Sequence, residues 1–374
     1  MIKTYKGQPS YSVNNDLVDI KVTVRGGHLT ASFNIGKKEI NPYFIAPWYL
    51  ESHEGLEDII SVLRGDFFCF PFGGNSEPYQ GLKHPGHGKT ANECWEFHEL
   101  TEDQQDKKLV LKMRLDPFPG KVEKHIKIAN GETIIYQNHI IQGHQGQVPV
   151  GYHPSLQLPN QVNAAFIDIS EPLTGFTTPI PMEDPRNKGY SQLKTNVEIT
   201  DRTIVPCING TNLDLSKYPP PRGFEDLVIF ICDPEKNFVF SAISVPNDEY
   251  LYFQLKNPKT LSQTLYWMSN GGRHFPPWNG RVSGVFGLEE VTGFFHYGIK
   301  PSVEDNFLQE HGFKTYLDLD QHEKSEIKMI SGVIPIKKDF KGVQDIIQID
   351  DSKILIKGKG GEEIETPCQV DFLK

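Results

Sequence analysis

The amino-acid sequence predicts an all-β protein, and three observations support this prediction. Apolar and polar residues alternate with a period of two in many short stretches, as in strands that bury one face. The 33 glycines and 27 prolines cluster in long connections, over 71–88, 170–190, 217–223 and 270–280. Helical periodicity is scarce. Large antiparallel sheets joined by long loops fit these observations better than alternating strands and helices.

Two hairpins are predicted from the alternating runs. The first joins 18–24 to 29–33 through two glycines, and the second joins 122–128 to 133–136. The second connection contains Asn130-Gly131, which tolerates positive φ and therefore predicts a tight type I′ turn. Further strands are predicted at 108–115, 148–153, 164–169, 227–232, 237–245, 249–255, 264–268, 281–288, 314–319, 325–335 and 352–357.

One helix is predicted, over 302–310. Ser302 would cap it, Asp305 follows three residues later as in a capping box, and Gly312 would end it. The segment 337–374 still alternates, so we expect extra strands packed on the main body. The whole chain, 1–374, is therefore expected to form a single domain.

Composition restricts the kind of partner. The 374 residues include 38 basic and 48 acidic ones, a net charge of −10, which argues against nucleic acid and anionic membranes and permits a neutral ligand. No stretch has the roughly 20 apolar residues of a membrane helix. The N-terminus lacks the apolar core of a secretory signal, which predicts a cytoplasmic protein.

The five cysteines are scattered along the chain without a Cys-x-x-Cys pair. This pattern argues against a disulfide framework and against a thiolate zinc site. We expect buried or half-buried free thiols at Cys69, Cys94, Cys207, Cys232 and Cys368.

The first group of candidate binding residues lies in the loop-like region 64–95. Arg64 precedes a run of glycines and aromatic residues, and His84, His87 and Trp95 follow. Glycines let polar groups approach a ligand closely, and aromatic faces stack on sugar rings. The alternative is a Gly/Pro turn with surface histidines.

His153 ends a strand-like run and precedes Pro154, which stops the ladder. Because an imidazole titrates near neutrality, this histidine is a candidate general acid. A structural histidine bonded to the backbone is the alternative.

Carboxylates accompany two further strands. Glu225-Asp226 enters an apolar run, where the acids could instead keep the strand end soluble or pair with Arg222. Glu289-Glu290 lies in a buried-looking strand that follows Trp278. A buried carboxylate must find partners or change its pKa, which makes this dipeptide a candidate source of the general base.

The ordered motifs resemble the aldose 1-epimerase, or galactose mutarotase-like, superfamily. They are Arg-Gly, Phe-Pro-Phe-Gly, His-Gly and Trp, then Gly-Tyr-His-Pro, an acidic strand entry and Gly-Leu-Glu-Glu, across roughly 15–300. The resemblance implies a β-supersandwich that binds sugar on a concave face. It also implies an enzyme that exchanges sugar anomers without metal or cofactor.

The resemblance implies a role for individual residues. His153 would protonate the ring oxygen, and Glu289 would take the proton of the anomeric hydroxyl. The family pattern commonly has proline after the glutamate, so Glu290 leaves open which acid faces the site. Substrate-positioning or binding roles are implied or expected for Arg64, His87, Asp226, Trp95 and Trp278.

The sequence is also compatible with two alternatives. The fold could carry a non-catalytic carbohydrate-binding groove, since fold does not fix function. A cupin-type metal site could be built from His84, His87, His98 and His153, although His84-Pro-Gly-His87 lacks a helical context.

Overall fold

The computed structural model describes residues 2–51 and 55–374 and confirms the all-β prediction. Strands hold 47% of the residues and helices 7%. Within the described ranges, no helix is long and apolar enough to span a membrane. The α-helices are α1 (Asp58–Val62), α2 (Ile299–Val303) and α3 (Phe307–Glu310), and the other helical residues form short 3-10 helices at Lys89–Ala91, Pro185–Asn187, Pro246–Asp248 and Val370–Leu373.

The strands of the first half of the chain are β1 (Lys3–Tyr5), β2 (Gln8–Asn14), β3 (Val18–Thr23), β4 (Leu29–Ile35), β5 (Lys38–Ile40), β6 (Phe68–Cys69), β7 (Glu96–Glu102), β8 (Asp106–Arg114), β9 (Lys121–Ala129), β10 (Ile134–Gln142), β11 (Gly146–Val148), β12 (Val150–Tyr152), β13 (Ser155–Gln157), β14 (Ala165–Ile169) and β15 (Thr174–Thr177). Those of the second half are β16 (Glu198–Ile199), β17 (Val205–Pro206), β18 (Asn212–Leu213), β19 (Lys217–Tyr218), β20 (Phe224–Ile231), β21 (Val239–Val245), β22 (Tyr250–Lys256), β23 (Gln263–Asn270), β24 (Val285–Thr292), β25 (Leu317–Leu319), β26 (Lys324–Pro335), β27 (Val343–Asp350), β28 (Lys353–Gly358) and β29 (Glu363–Pro367).

Two large antiparallel sheets pack face to face. One has nine strands in the order β19-β14-β21-β22-β26-β10-β9-β8-β7, and the other has eight, with the path β16-β15-β20-β23-β24-β12-β6 and β13 paired to β24. Phe286 and Leu288 of β24 share an apolar cluster with Tyr252 and Val333 of the nine-stranded sheet. The five-stranded sheet β1–β5 adds Val18 and its neighbours to this core.

The outer face of the eight-stranded sheet carries a second apolar cluster. Leu265 and Trp267 of β23 join it, and so do Leu227 and Ile229 of β20. Helix α1 contributes Ile59 to the same cluster. Strands buried on both faces read as continuous apolar runs, which explains the composition of these central strands.

The C-terminal segment forms the sheet β27-β28-β29, which packs on the other large sheet. Ile354 and Ile356 of β28 are fully buried and share a cluster with Leu251, Phe253 and Ile330 of the nine-stranded sheet. The segment covers an apolar sheet face that water would otherwise reach.

Both predicted hairpins are present, but the second turn differs from the prediction. β3 pairs with β4, and β9 pairs with β10. The β9–β10 connection spans 130–133, and within it Gly131 has positive φ whereas Asn130 does not. Type I′ geometry needs positive φ at both central residues, so the turn prediction was wrong.

The predicted helix over 302–310 is also corrected. The chain forms α2 and α3 instead, and the α3 cap is Asn306, whose side chain accepts from the backbone of Gln309. Ser302 lies inside α2, where its hydroxyl donates to the Gly298 carbonyl. Among the cysteines, Cys94 is exposed, contrary to expectation, because it lies just before the exposed edge strand β7.

Candidate active site

A cavity of about 210 Å³ lies on the outer face of the eight-stranded sheet. Helix α1 and the loop after β6 contribute to its wall, and aromatic residues line it at Phe67, Trp267 and Trp278. Its polar side chains are Glu57, His87, His153, Arg273, Glu289 and His296. Four residues that the sequence singled out, His87, His153, Trp278 and Glu289, therefore line one cavity.

The alternation of β24 decides between the two adjacent glutamates. Glu289 lies on the outer face of the sheet and lines the cavity, whereas Glu290 points into the core between the large sheets. There Glu290 forms an ion pair with the buried Lys256 and accepts hydrogen bonds from Ser241 and from Thr264, the latter at 2.8 Å. Glu290 is thus a structural residue.

His153 and Glu289 are in direct contact, with 3.3 Å between His153 Nε2 and Glu289 Oε1. β12 and β13 both pair with β24, so His153 sits at the gap between two short strands beside Glu289. Its backbone N–H donates to the Phe67 carbonyl at 2.9 Å, and Ser155 Oγ lies 3.3 Å from its Nδ1. The imidazole is therefore held at both the backbone and the ring.

Aromatic stacking also fixes the His153 ring. Phe67 lies between His28 and His153, with ring centroids 4.4 and 4.5 Å apart and interplanar angles of 22° and 21°. The Trp267 ring lies steeply inclined to His153, with 5.6 Å between the ring centroids and 72° between the planes. A ring with one stacked and one inclined aromatic neighbour has little rotational freedom.

Burial favours the neutral form of both members of the pair. It raises the pKa of Glu289 well above its usual range, and the charge of Glu290 adds to this effect. It lowers the pKa of His153 well below its usual value, with His87 contributing further. The favoured form of the pair is therefore a protonated Glu289 carboxyl beside a neutral His153 imidazole, with 3.3 Å between Oε1 and Nε2.

Two more histidines line the cavity in neutral form. Burial lowers the pKa of His87 to about 3, with His296 contributing, and that of His296 to about 4, with Arg273 contributing. His87 Nδ1 lies 3.4 Å from the buried thiol of Cys69. A neutral imidazole offers one donor and one acceptor, which suits a hydroxyl group.

Arg273 is a cavity residue that the sequence reasoning missed. It follows β23 after Gly271-Gly272, a strand-end position that could have drawn attention to it. Its Nε lies 2.6 Å from Glu183 and 3.6 Å from Glu225, and its guanidinium lies 4.6 Å from the Trp278 ring centroid. Its charge is therefore already paired within the protein.

The acid at the entry of β20 that faces this side is Glu225, not Asp226. Glu225 accepts from Trp267 Nε1 at 2.9 Å, and burial raises its pKa to about 7. Asp226 points to the other face, where it accepts from the backbone N–H groups of Gln192 and Leu193 at 3.0 Å. The expected sugar-binding role of Asp226 is corrected because the strand alternates and turns it away.

Arg64 and Trp95 also lie away from the cavity. The buried Arg64 guanidinium donates to the carbonyls of Val62, Tyr5 and Lys6, so it holds the N-terminal strand against the chain that leads to Phe67. Trp95 is buried in the core, and its Nε1 donates to the Thr90 carbonyl at 2.9 Å. The expected substrate contacts of both residues are corrected, since their polar groups are used internally.

The four histidines of the metal hypothesis do not meet. His84 lines a second cavity of about 150 Å³ and stacks on Phe118, while His98 is exposed on the edge strand β7. In the described ranges, no group of three or more His, Cys, Asp or Glu residues is arranged to hold a metal ion.

Glycines shape the strands beneath the site. A Cβ at Gly287 would lie 2.9 Å from the Cβ of Trp267, and one at Gly151 would lie 2.5 Å from Val291 Cγ1. Real Cβ atoms do not approach so closely, so these positions permit close packing of β12, β23 and β24.

Comparison with known proteins identifies the architecture. No protein-family model matches the chain, and no curated protein matches its sequence. A protein of Synechocystis sp. PCC 6803 is similar in structure, with a TM-score of 0.57, 14% identity and coverage of 90% of this chain and 100% of that one.

Two further solved structures carry names related to mutarotases. The galactose mutarotase related enzyme of Lactobacillus acidophilus has a TM-score of 0.54 and 13% identity, over 89% of this chain and all (100%) of that one. The galactose mutarotase-like protein of Clostridium acetobutylicum has a TM-score of 0.53 and 10% identity, over 90% and 98%. The chain therefore has the galactose mutarotase-like fold.

Proposed function

We propose that the protein is an aldose 1-epimerase-like enzyme, which interconverts the α and β anomers of a sugar. The observation that carries this proposal is the contact between His153 and Glu289 in a buried, aromatic-lined cavity. Ring opening of a sugar needs an acid at the ring oxygen and a base at the anomeric hydroxyl. Both oxygens are bonded to the anomeric carbon, so the acid and the base must lie side by side.

The proposed reaction moves one proton at each oxygen. Glu289, as carboxylate, takes the proton of the anomeric hydroxyl while the carbonyl forms and the bond from C1 to the ring oxygen breaks. His153, as imidazolium, gives its proton to that ring oxygen. Rotation about the bond from C1 to C2 presents the other face of the aldehyde, and the reverse transfers close the ring as the other anomer.

The shared proton of the pair supports this cycle. The neutral acid with neutral imidazole and the carboxylate with imidazolium differ by one transfer between Glu289 Oε1 and His153 Nε2. The two forms have the same total charge, so the transfer between them needs no proton from solvent. A sugar hydroxyl at Glu289 would favour the carboxylate by hydrogen bonding to it.

A non-catalytic sugar-binding protein on the same fold is the second candidate. The paired donor and acceptor favour the enzyme, since binding alone does not require an acid beside a base. In the described part of the chain, Glu289 Oε2 is buried without a hydrogen-bond partner. Such an atom is costly to maintain, and orphaned polar atoms are typical of functional sites.

Mutarotation of freshly dissolved sugars tests the proposal. Pure anomers of a sugar panel, followed by polarimetry, should equilibrate faster with the protein than in buffer. The His153→Ala variant should lose about 10²–10⁴-fold in turnover while calorimetry still detects sugar binding. If the wild type binds a sugar but accelerates no mutarotation, the non-catalytic function replaces this proposal.

A further inference from the structure

Part of the cavity lining is aliphatic, and we refer to this part as the wall. It consists of Ile59 and Ile60 of α1, Leu63 after it, Met182 and Leu227, which belong to or pack against one apolar cluster. Ile60 and Met182 are half-buried, so parts of them remain accessible. An aliphatic side chain cannot hydrogen-bond a hydroxyl, and a hydroxyl desolvated against it loses its bonds to water.

The charges of the cavity exclude an anionic group on the ligand. Arg273 is the one cation among the described lining residues, and Glu183 and Glu225 already neutralise it. The acids of the lining, Glu57 and Glu289, add no positive charge. A phosphate or carboxylate on the sugar would meet no unpaired positive charge, so the ligand is neutral.

Few polar side chains remain for the other hydroxyls of a hexose. If Glu289 and His153 serve the anomeric and ring oxygens, then His87, His296 and Arg273 remain inside the cavity, and Glu57 is exposed. A hexopyranose has four further hydroxyl groups. A hydroxyl that meets none of these polar groups would lie against aliphatic side chains or outside the site.

We infer that the substrate class of this site is the neutral deoxy sugars, in which a hydrogen replaces one hydroxyl, so that a methyl or methylene group packs on the wall of Ile60, Leu63 and Met182. This inference rests on the proposed function, and it adds which sugars that function serves. The methyl group of a 6-deoxyhexose gains from apolar burial where a hydroxymethyl group would lose hydrogen bonds.

Matched sugar pairs test the inference. D-fucose against D-galactose, L-rhamnose against L-mannose, and 6-deoxy-D-glucose against D-glucose each differ by a single hydroxyl. For a pair that the site accepts, kcat/KM for mutarotation should favour the deoxy sugar by about 10- to 100-fold, the usual discrimination for one group in an apolar pocket. Glucose 6-phosphate should be inactive.

Variants at Met182 show whether the wall causes the preference. Met182→Gln is close in shape and offers an amide to a hydroxyl, so it should reduce the preference for the deoxy sugar. Met182→Leu keeps the wall apolar and should retain the preference. Because Met182 is half-buried, both variants should fold, and a thermal melt checks this.

The outcomes separate this inference from the proposed function. Equal kcat/KM within every active pair, or a preference for the parent hexose, would overturn the inference and leave the mutarotase function intact. If no sugar is turned over, the proposed function fails, and calorimetric Kd values on the same pairs still decide the preference. Binding of no deoxy sugar, or no difference between Met182→Gln and Met182→Leu, would also overturn it.

Discussion

Glu289 and Glu290 are adjacent in one strand, yet their carboxylates serve opposite faces of the sheet. Glu289 contacts His153 in the cavity, and Glu290 pairs with Lys256 between the two large sheets. Both are buried. The same chemical group therefore has a proposed role in proton transfer at one position and a role in packing at the next.

Glu289→Gln should lower kcat by about 10²–10⁴-fold while sugar affinity changes little, because an amide can still hydrogen-bond but cannot accept the proton. Polarimetry gives kcat and calorimetry gives Kd. A variant that loses binding in proportion to turnover would show that Glu289 holds the sugar and is not the base.

Glu290→Gln should lower the free energy of unfolding by about 3–5 kcal/mol, because it leaves the charge of Lys256 buried without a counterion. Urea denaturation measures this change. The double variant with Lys256→Met removes both charges and should recover most of the loss. An equally large loss in the double variant would assign the effect to packing and not to the ion pair.

The pH dependence of kcat/KM should show an acid limb below pH 6.5. The pair is active with one proton, and it gains a second when His153 protonates. Since burial lowers the pKa of His153 well below 6.5, activity is kept as the pH falls to that lowered pKa and is lost below it. The raised pKa of Glu289 moves the alkaline limb upward. A rate that keeps rising as the medium becomes more acidic would contradict the shared proton.

Arg64→Ala should destabilise the fold by about 2–4 kcal/mol without changing kcat of the folded protein, because three backbone carbonyls lose their buried donor. Thermal and urea unfolding measure the stability. Arg114→Ala is the control, since its side chain is 83% exposed and its removal should be nearly silent. If Arg64→Ala changed only KM for the sugar and not the stability, Arg64 would instead be a residue that contacts the ligand.

Ile356→Ala in the C-terminal sheet should cost about 2–4 kcal/mol, because this fully buried side chain packs on the outer face of the nine-stranded sheet. Ile349→Ala in β27 is the matched control, because Ile349 is 43% exposed. Equal stability of the two variants would show that the C-terminal sheet contributes little to the main body.

The sequence predicted the sheets because alternation along a strand reports a buried face directly. Alternation also shows that Glu289 and Glu290 lie on opposite faces of the strand, but it does not show which face holds a cavity when both faces are buried. For the same reason the sequence prediction assigned sugar binding to Asp226, whereas Glu225 is the acid on the cavity side. Long-range pairing of strands, which no local pattern specifies, assigns these faces.

Hydrogen bonds between polar side chains and distant parts of the chain could not be predicted from the sequence either. Nothing near Arg64 in the chain indicates that its donors reach the carbonyls of Tyr5 and Lys6, nearly sixty residues away. The cavity position of Arg273 likewise depends on contacts with Glu183 and Trp278. These side chains could be found as charged residues at strand ends, but their partners required the fold.

Gly287 has a consequence for folding fidelity. If β24 slipped by one residue, Glu290 would take the place of Glu289 in the cavity, or Glu289 would take the place of Glu290 beside Lys256, so a carboxylate would still occupy one of the two environments. Electrostatics therefore opposes such an error at only one of the two positions. Shape opposes it as well, because the slip would bring Phe286 or Leu288 opposite Trp267, where Gly287 leaves no room for even a methyl group. Faithful assembly of the site thus depends on a residue with no side chain.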